Sequence, residues 1–249
     1  MRKRTGRKTR TWKGEKVKLR TAIFLLVLPL APVGRSEPAA DYEAGVALLP
    51  GKTTAADTAA AREAFERASS QGHVLAKVQL AILLSNGSGG PRDDTRALAL
   101  FSEAAETGQR EALYNKGLFL LQGRGAPRDL SVALEALGSA AAAGSVHAHI
   151  KLADIFYFGD RDLKADRGRA LPHVKAAAMA GDAWACNILG TMAEQGYEMP
   201  MDRKMAISWF TVAARKNNIK AQANLGRMLK EGNRTSSDKV AAYKWLSLA

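Results

Sequence analysis

Small and large apolar positions recur along this chain with a period of 36 residues, beginning near position 40. A small residue opens each period, and a second small residue follows five positions later. The two columns are Ala40, Ala76, Ala112, Ala148, Ala185 and Ala221, followed by Gly45, Ala81, Gly117, Ala153, Gly190 and Gly226. Apolar residues at spacings of three to five line one face of an α-helix. Each period is therefore predicted to start with a helix whose small residues allow close packing.

The second half of each period predicts a turn and a returning helix. A glycine is followed after six or seven residues by an aspartate, then by an alanine and a bulkier apolar residue at successive intervals of four. An aspartate at a helix start accepts a hydrogen bond from a free backbone N–H, which contributes typically about 1 kcal/mol. These columns are Asp57, Asp93, Asp129, Asp166, Asp202 and Asp238 for the caps, and Phe65, Phe101, Leu137, Val174, Phe210 and Leu246 for the bulky positions. A closing glycine, or Asn217 in the fifth period, is expected to end the helix in a left-handed conformation.

At these columns the chain resembles the Sel-one-like repeat, a member of the tetratricopeptide-like superfamily. The best matches are residues 112–144 and 185–217, and the resemblance extends over about 40–249. It implies an all-α fold, a right-handed α-solenoid of about six helix-turn-helix repeats of 36 residues. The solenoid is predicted to occupy residues 37–249, with units near 40–75, 76–111, 112–147, 148–184, 185–220 and 221–249.

Residues 1–36 have a different pattern and are interpreted as a basic leader and signal peptide. Ten lysines and arginines and one glutamate occupy the first 20 positions, and an apolar run of 13 residues follows at 21–33. That run is short for a hydrocarbon core, which needs about 20 residues. A small-x-small site at 34–36 predicts cleavage near Ser36, a periplasmic or secreted product and no stable membrane span afterwards. The alternative is a leader that is retained as an anchor.

The net charge of +13 lies mostly in this leader, because the chain from position 37 onward carries 26 basic and 23 acidic residues. The basic composition therefore gives little support to a nucleic-acid partner, and none is expected. Within the repeats the charge is uneven. Residues 37–199 carry a net charge of −4 and residues 200–249 one of +7, which would favour an anionic partner at the C-terminal end.

Candidate chemistry is sparse. The one cysteine, Cys186, excludes an intrachain disulfide and a cysteine-based zinc site, and it is expected to be a buried, inert thiol. None of the four histidines, His73, His147, His149 and His173, has a partner at a suitable spacing, so solvated or locally bonded side chains are expected. No catalytic, cofactor-binding or metal-ligating set is predicted, and the chain is not expected to be an enzyme.

One stripe on the first helix of each unit varies freely from unit to unit, although its spacing keeps it on one side of the helix. In tetratricopeptide-like solenoids the equivalent stripe lines a concave groove. The resemblance therefore implies these partner-binding residues: Tyr114, His147, Asp154, Tyr157, Trp184, Asn187, Arg227 and Lys230. The alternative is that the aromatic members fill gaps between units.

These observations favour an exported protein–protein interaction scaffold or adaptor, or a regulatory partner, in the bacterial envelope. Its partner would be another protein of the cell envelope.

One alternative is a polysaccharide-binding module that holds an anionic polymer with Trp184, Arg227 and Lys230. Another is a cell-wall-active hydrolase, for which His147 and Asp154 are the available acid–base pair. They are seven residues, or about 10 Å, apart on one helix, too far for a direct hydrogen bond.

Overall fold

The computed structural model describes residues 37–49, 54–232 and 236–248, which form twelve α-helices and no β-strand. The helices are α1 (Pro38–Ala47), α2 (Ala55–Ser70), α3 (Val74–Asn86), α4 (Asp94–Glu106), α5 (Arg110–Gln122), α6 (Leu130–Ala142), α7 (Val146–Phe158), α8 (Arg167–Met179), α9 (Ala183–Gln195), α10 (Arg203–Arg215), α11 (Ile219–Glu231) and α12 (Ser236–Leu246). The predicted leader and its cleavage site lie outside the described residues. None of the helices within those ranges is long and apolar enough to cross a bilayer.

The helices pair into six units, and this confirms the predicted all-α solenoid of helix-turn-helix repeats. The odd-numbered helix of each unit packs against the following even-numbered helix, which in turn packs against the first helix of the next unit. One hydrophobic core follows this order along the solenoid, built from alanines of both helices together with large apolar residues, most of them on the first helices. Such a core depends on neighbouring units, because no single helix pair buries its apolar faces alone.

The second small column explains how the two helices of a unit approach each other. A Cβ placed on Gly117 would lie 2.7 Å from Cγ of Leu137, and one placed on Gly190 would lie 2.7 Å from the ring of Phe210. The bulky residue of the second helix therefore occupies the space that a side chain on the first helix would need. Five of the six bulky residues are buried, whereas Leu246 in the last helix is 40% exposed.

The aspartate column caps the second helices as predicted in units two to five. The side chains of Asp93, Asp129, Asp166 and Asp202 accept hydrogen bonds of 2.9–3.0 Å from the backbone N–H three residues later. Unit one differs, because Thr54 is the cap there and Asp57 lies three residues inside the helix. Their side chains form a reciprocal capping box, so the threonine one turn earlier replaces the aspartate as the cap. The side chain of Asp238 lies outside the described residues.

A second capping column was not predicted. In units two to six, the side chain three positions before the opening alanine accepts a hydrogen bond from that alanine's backbone N–H, and so caps the first helix of its unit. These caps are His73, Gln109, Ser145, Asp182 and Asn218. The varied chemistry of the five side chains hides the column in the sequence.

The closing residues of the second helices follow the prediction, with φ between +76° and +88° at the four glycines and +61° at Asn217.

Candidate binding surface

The first helices of successive units lie side by side, and the surface they form is called here the first-helix face. Contacts between units run along it. The rings of Tyr114 and His147 have centroids 5.9 Å apart, and the amide of Asn224 donates to the Oδ1 atom of Asn187 at 3.2 Å. Because these pairs join α5 to α7 and α9 to α11, the predicted stripe forms one surface over several units.

A cavity of about 540 Å³ opens on this face between α3, α5 and α7. Two predicted residues, Tyr114 and His147, line this first-helix cavity. Burial raises the pKa of the half-buried Tyr114, so its hydroxyl is neutral over the physiological range. His147 is exposed, and its ring lies beside the ring of Tyr114 in a tilted arrangement. The pair therefore offers an aromatic surface with hydrogen-bonding groups.

The rest of the lining is mixed in character. Glu111, Asn115 and Gln122 of α5 add polar groups, and Leu118 and Ile82 add apolar ones. Asn115 and Gln122 were missed by the sequence reasoning. Each lies one position after a member of the varying stripe, so a wider helical face would have included them. Amide groups beside apolar side chains suit an extended peptide, which needs partners for its backbone and pockets for its side chains.

One wall of the first-helix cavity is held in place by Arg124. Its guanidinium donates to Asp94 at 2.6 Å and to the backbone oxygen of Ser85 at 3.1 Å, and it stacks over the ring of Phe119 at 4.2 Å. The arginine and its neighbour Arg92 hold the pKa of Asp94 at about 2. This network joins unit two to unit three below the cavity, so the binding surface has a preformed side.

Three other members of the predicted set lie in the packing between units. Tyr157 and Asn187 are 8% and 5% exposed, and Trp184 is partly buried against the core. The tyrosine lies beside the guanidinium of Arg167, 5.4 Å from its ring centre, and its pKa is raised by burial. Such side chains offer little surface to a partner. Their positions agree with the alternative that aromatic members fill gaps between units.

Two charged members of the set, Arg227 and Asp154, form ion pairs within the described part of the chain, whereas Lys230 is exposed. Arg227 forms ion pairs with Glu194 at 2.6 Å and with Glu231 at 3.2 Å, and the hydrogen bond that it donates to Glu194 raises its pKa. Asp154 pairs with Lys151 at 3.1 Å. Its carboxylate is therefore directed to the lysine and is not brought to His147, as the hydrolase alternative would need.

The expectation that no two histidines pair is wrong. The Nδ1 atoms of His149 and His173 lie 3.0 Å apart, on the two facing helices of unit four. Burial, followed by the nearby charges of His149 and Arg169, lowers the pKa of His173. The two residues are 24 positions apart on different helices, so spacing within one helix could not reveal the contact.

The thiol prediction is confirmed, because Cys186 is fully buried and its Sγ atom lies 3.5 Å from the backbone oxygen of Ala178. Burial raises the pKa of this thiol, which keeps it protonated. Within residues 37–49, 54–232 and 236–248, no group of three or more histidine, cysteine, aspartate or glutamate residues is arranged to hold a metal ion.

Comparison with solved structures shows the same fold elsewhere. A protective antigen present in uropathogenic Escherichia coli strains, described as having an SLR fold, aligns with a TM-score of 0.78 and 24% identity over 85% of this chain. This chain spans only 45% of the length of that antigen. A Sel1 repeat protein from Oxalobacter formigenes aligns with a TM-score of 0.73 and 24% identity, covering 88% of this chain and 89% of the other. A search of curated proteins finds no match.

The Sel1 repeat matches this chain six times, at residues 38–73, 74–108, 110–145, 146–182, 185–218 and 219–249. These segments coincide with the six helix pairs and cover nearly all of residues 37–249. Solenoids of this kind present repeat surfaces for protein interaction. With six matched repeats and the SLR fold of its structural neighbours, the chain belongs to the Sel1 repeat family.

Proposed function

We propose that this chain is an exported scaffold or adaptor of the bacterial envelope that binds another protein through its first-helix face. The observation that supports this most directly is the first-helix cavity, where Tyr114, His147 and Asn115 from neighbouring units lie around one opening. Its amide, phenol and imidazole groups match the hydrogen-bonding needs of a peptide backbone, and no reaction is required of them.

The polysaccharide alternative has weaker support. It relies on Arg227 and Lys230, but the guanidinium of Arg227 is shared between two carboxylates. An anionic polymer would have to displace Glu194 and Glu231 before it could form an ion pair with Arg227. Binding to an alginate-like polymer that is lost in an Arg227→Gln, Lys230→Gln variant would favour this alternative over a protein partner.

Site-specific photo-crosslinking in the native host tests the proposed surface. A photoreactive amino acid in place of Asn115, inside the first-helix cavity, is expected to capture one envelope protein in stoichiometric amount. The matched control places the same probe at Glu135, an exposed position on α6. Adding Tyr114→Ala to the Asn115 probe should abolish capture. Equal capture from both positions, or capture that survives the Tyr114→Ala change, would show that the partner binds elsewhere.

Export is tested separately by the N-terminus of the mature protein. Mass spectrometry of the protein from the periplasmic or secreted fraction is expected to give a first residue at Glu37. Recovery of an intact leader in the membrane fraction would support the retained anchor instead. Recovery only from the cytoplasm would contradict the envelope assignment, whatever the crosslinking shows.

A further inference from the structure

A second cavity, of about 440 Å³, lies between α8 and α10, and Leu189 of α9 also lines it. Three methionines line it, and we call it the methionine cavity. Met179 is the last residue of α8, Met199 belongs to the turn of unit five, and Met205 lies in the first turn of α10. Trp209 also contributes to the lining. Three thioethers from three separate segments are therefore brought to one opening.

The repeat itself shows that the fold does not require these methionines. Counted from the capping aspartate, the position of Met199 is held by Gly90 and Ala126 in units two and three, and that of Met205 by Arg96 and Val132. The position of Met179 is held by Glu106 and Ala142. The same cap and the same helix form in every case. The methionines are thus particular to the boundary between units four and five.

Core packing accounts for Met199, which is partly buried against the core, but not for the other two methionines. Met179 is 81% exposed and Met205 is 42% exposed, so much of each side chain lies in water. An exposed apolar side chain gains little of the free energy that burial would provide. What the three methionines share is the thioether sulfur, which is a soft ligand that needs no deprotonation to bind a metal.

The charges around the cavity suit a cation of single charge. Met179 ends α8, where the helix macrodipole is negative. Asp202, also in the lining, directs an oxygen to the backbone N–H of Met205 at 2.9 Å as a helix cap. Lys175 contributes one positive charge to the lining, which opposes a divalent ion more strongly than a monovalent one. The tryptophan ring adds a face that attracts a cation.

We propose that Met179, Met199 and Met205 form a three-thioether site for Cu(I), with Ag(I) as a mimic that does not oxidise. Soft thioether ligands select Cu(I) over the harder divalent metals, and the three rotatable bonds of each methionine allow the sulfurs to converge on one ion. The site is separate from the first-helix face and does not depend on the function proposed for that face.

Titration of the full-length protein with Ag(I), followed by the ¹³C-methyl NMR signals of its methionines, tests the site. We expect one equivalent to shift the signals of Met179, Met199 and Met205, and to leave those of the buried Met192 and Met228 in place. Competition with a chromophoric Cu(I) chelator under anaerobic, reducing conditions then gives the affinity. Failure of the three signals to shift together, or a shift of all methionine signals, would overturn the proposal.

Substitution by leucine separates metal binding from simple apolar contact, because leucine keeps the volume of methionine and removes the sulfur. Met179→Leu, Met199→Leu and Met205→Leu should each weaken Cu(I) binding by about tenfold or more. Met201→Leu is the matched control, since Met201 lies in the same turn, is 73% exposed and does not line the cavity. His149→Gln is a second control, because it tests whether the bound Cu(I) lies at the His149–His173 pair instead. Binding that survives the three leucine changes, or that is lost in either control, would refute the site.

The same leucine variants distinguish a cavity that binds Cu(I) from one that binds a partner protein. If the cavity instead receives an apolar side chain of a partner protein, the triple leucine variant keeps that interaction and the wild-type chain shows no one-to-one Cu(I) complex. A nearly unchanged thermal unfolding midpoint in the triple variant is expected, because leucine keeps the volume and the apolar character of each replaced side chain. It shows that any loss of Cu(I) binding does not come from loss of the fold.

Discussion

The turns of units three and five have nearly the same backbone but contact their neighbours differently. The turn of unit three covers residues 123–129, and that of unit five covers residues 196–202. Each begins at a left-handed glycine, with φ +69° at Gly123 and +70° at Gly196. Each ends at a capping aspartate, with φ −135° at Asp129 and −139° at Asp202. The two turns thus begin and end with the same backbone geometry.

The difference lies four residues before the aspartate. Gly125 has φ +74°, and a Cβ there would clash with the backbone carbonyl of Asp94 at the start of α4. The turn of unit three is therefore pressed against unit two. Glu198 holds the equivalent left-handed position in unit five, with φ +56°, and lies opposite Gly168. The comparison shows that one side chain decides how closely a turn approaches the preceding unit, while the turn itself is preserved.

The largest expected effect comes from giving unit three the residue of unit five. Gly125→Glu should lower the free energy of unfolding by about 3 kcal/mol or more, because it adds left-handed strain and a clash with backbone atoms. Urea unfolding followed by circular dichroism measures the change. A loss below about 1 kcal/mol would mean that the two units can separate at this point at little cost.

Removal of the capping aspartate should lower the free energy of unfolding by a similar amount in the two turns. Asp129→Ala and Asp202→Ala each remove a side-chain acceptor of 2.9–3.0 Å from the first turn of a helix. Each is expected to cost about 1 kcal/mol, with the two values similar because the cap geometry is the same. The measurement is again urea unfolding, on the two variants in parallel. Clearly unequal losses would show that the neighbouring side chains, and not the backbone, control the cap.

A smaller effect should appear in acid, through the ion pair that joins Asp94 to the turn of unit three. Arg124, followed by Arg92, holds the pKa of Asp94 at about 2, below its ordinary value of 3.8. The lowered pKa means that the ion pair stabilises the fold fully above the unfolded-state value and loses its contribution as the pH falls towards 2. Because the groups are partly exposed, the contribution is expected to be below about 1 kcal/mol.

The measurement is the difference in urea midpoint between the wild-type chain and Asp94→Asn, first at neutral pH and then near the acid limit. The difference should shrink as the pH falls through this window. A difference that stays constant would assign the effect of the substitution to packing rather than to charge.

The smallest expected effect is a gain. Glu198→Gly should raise the free energy of unfolding by about 0.5 kcal/mol, because glycine adopts the left-handed conformation without strain but is also freer in the unfolded chain. Thermal unfolding of the variant checks the sign. Destabilisation instead would show that the Glu198 side chain contributes a contact with unit four that outweighs its backbone strain.

Part of the candidate site could be predicted and part could not. The varying stripe led to Tyr114 and His147, which the structure brings to one cavity. The same stripe included Tyr157 and Asn187, which are buried between units. Both pairs have the same periodicity, so the sequence does not distinguish them. The contacts that each residue makes with the neighbouring helices determine whether it remains open to a partner.

The sequence by itself determined the period, the order of the helices and most of their ends. Those features depend on residues within one turn of each other, such as Asp93 and the backbone it caps, or on a column of small residues that faces a bulky one. Tertiary structure alone decided the contacts between facing helices and between units. The pairs His149–His173 and Arg227–Glu194 join residues 24 and 33 positions apart, and the methionine cavity brings Met179 of α8 close to Met199 and Met205 of unit five. Their physical basis is the packing of whole helices against one another, which no local spacing records.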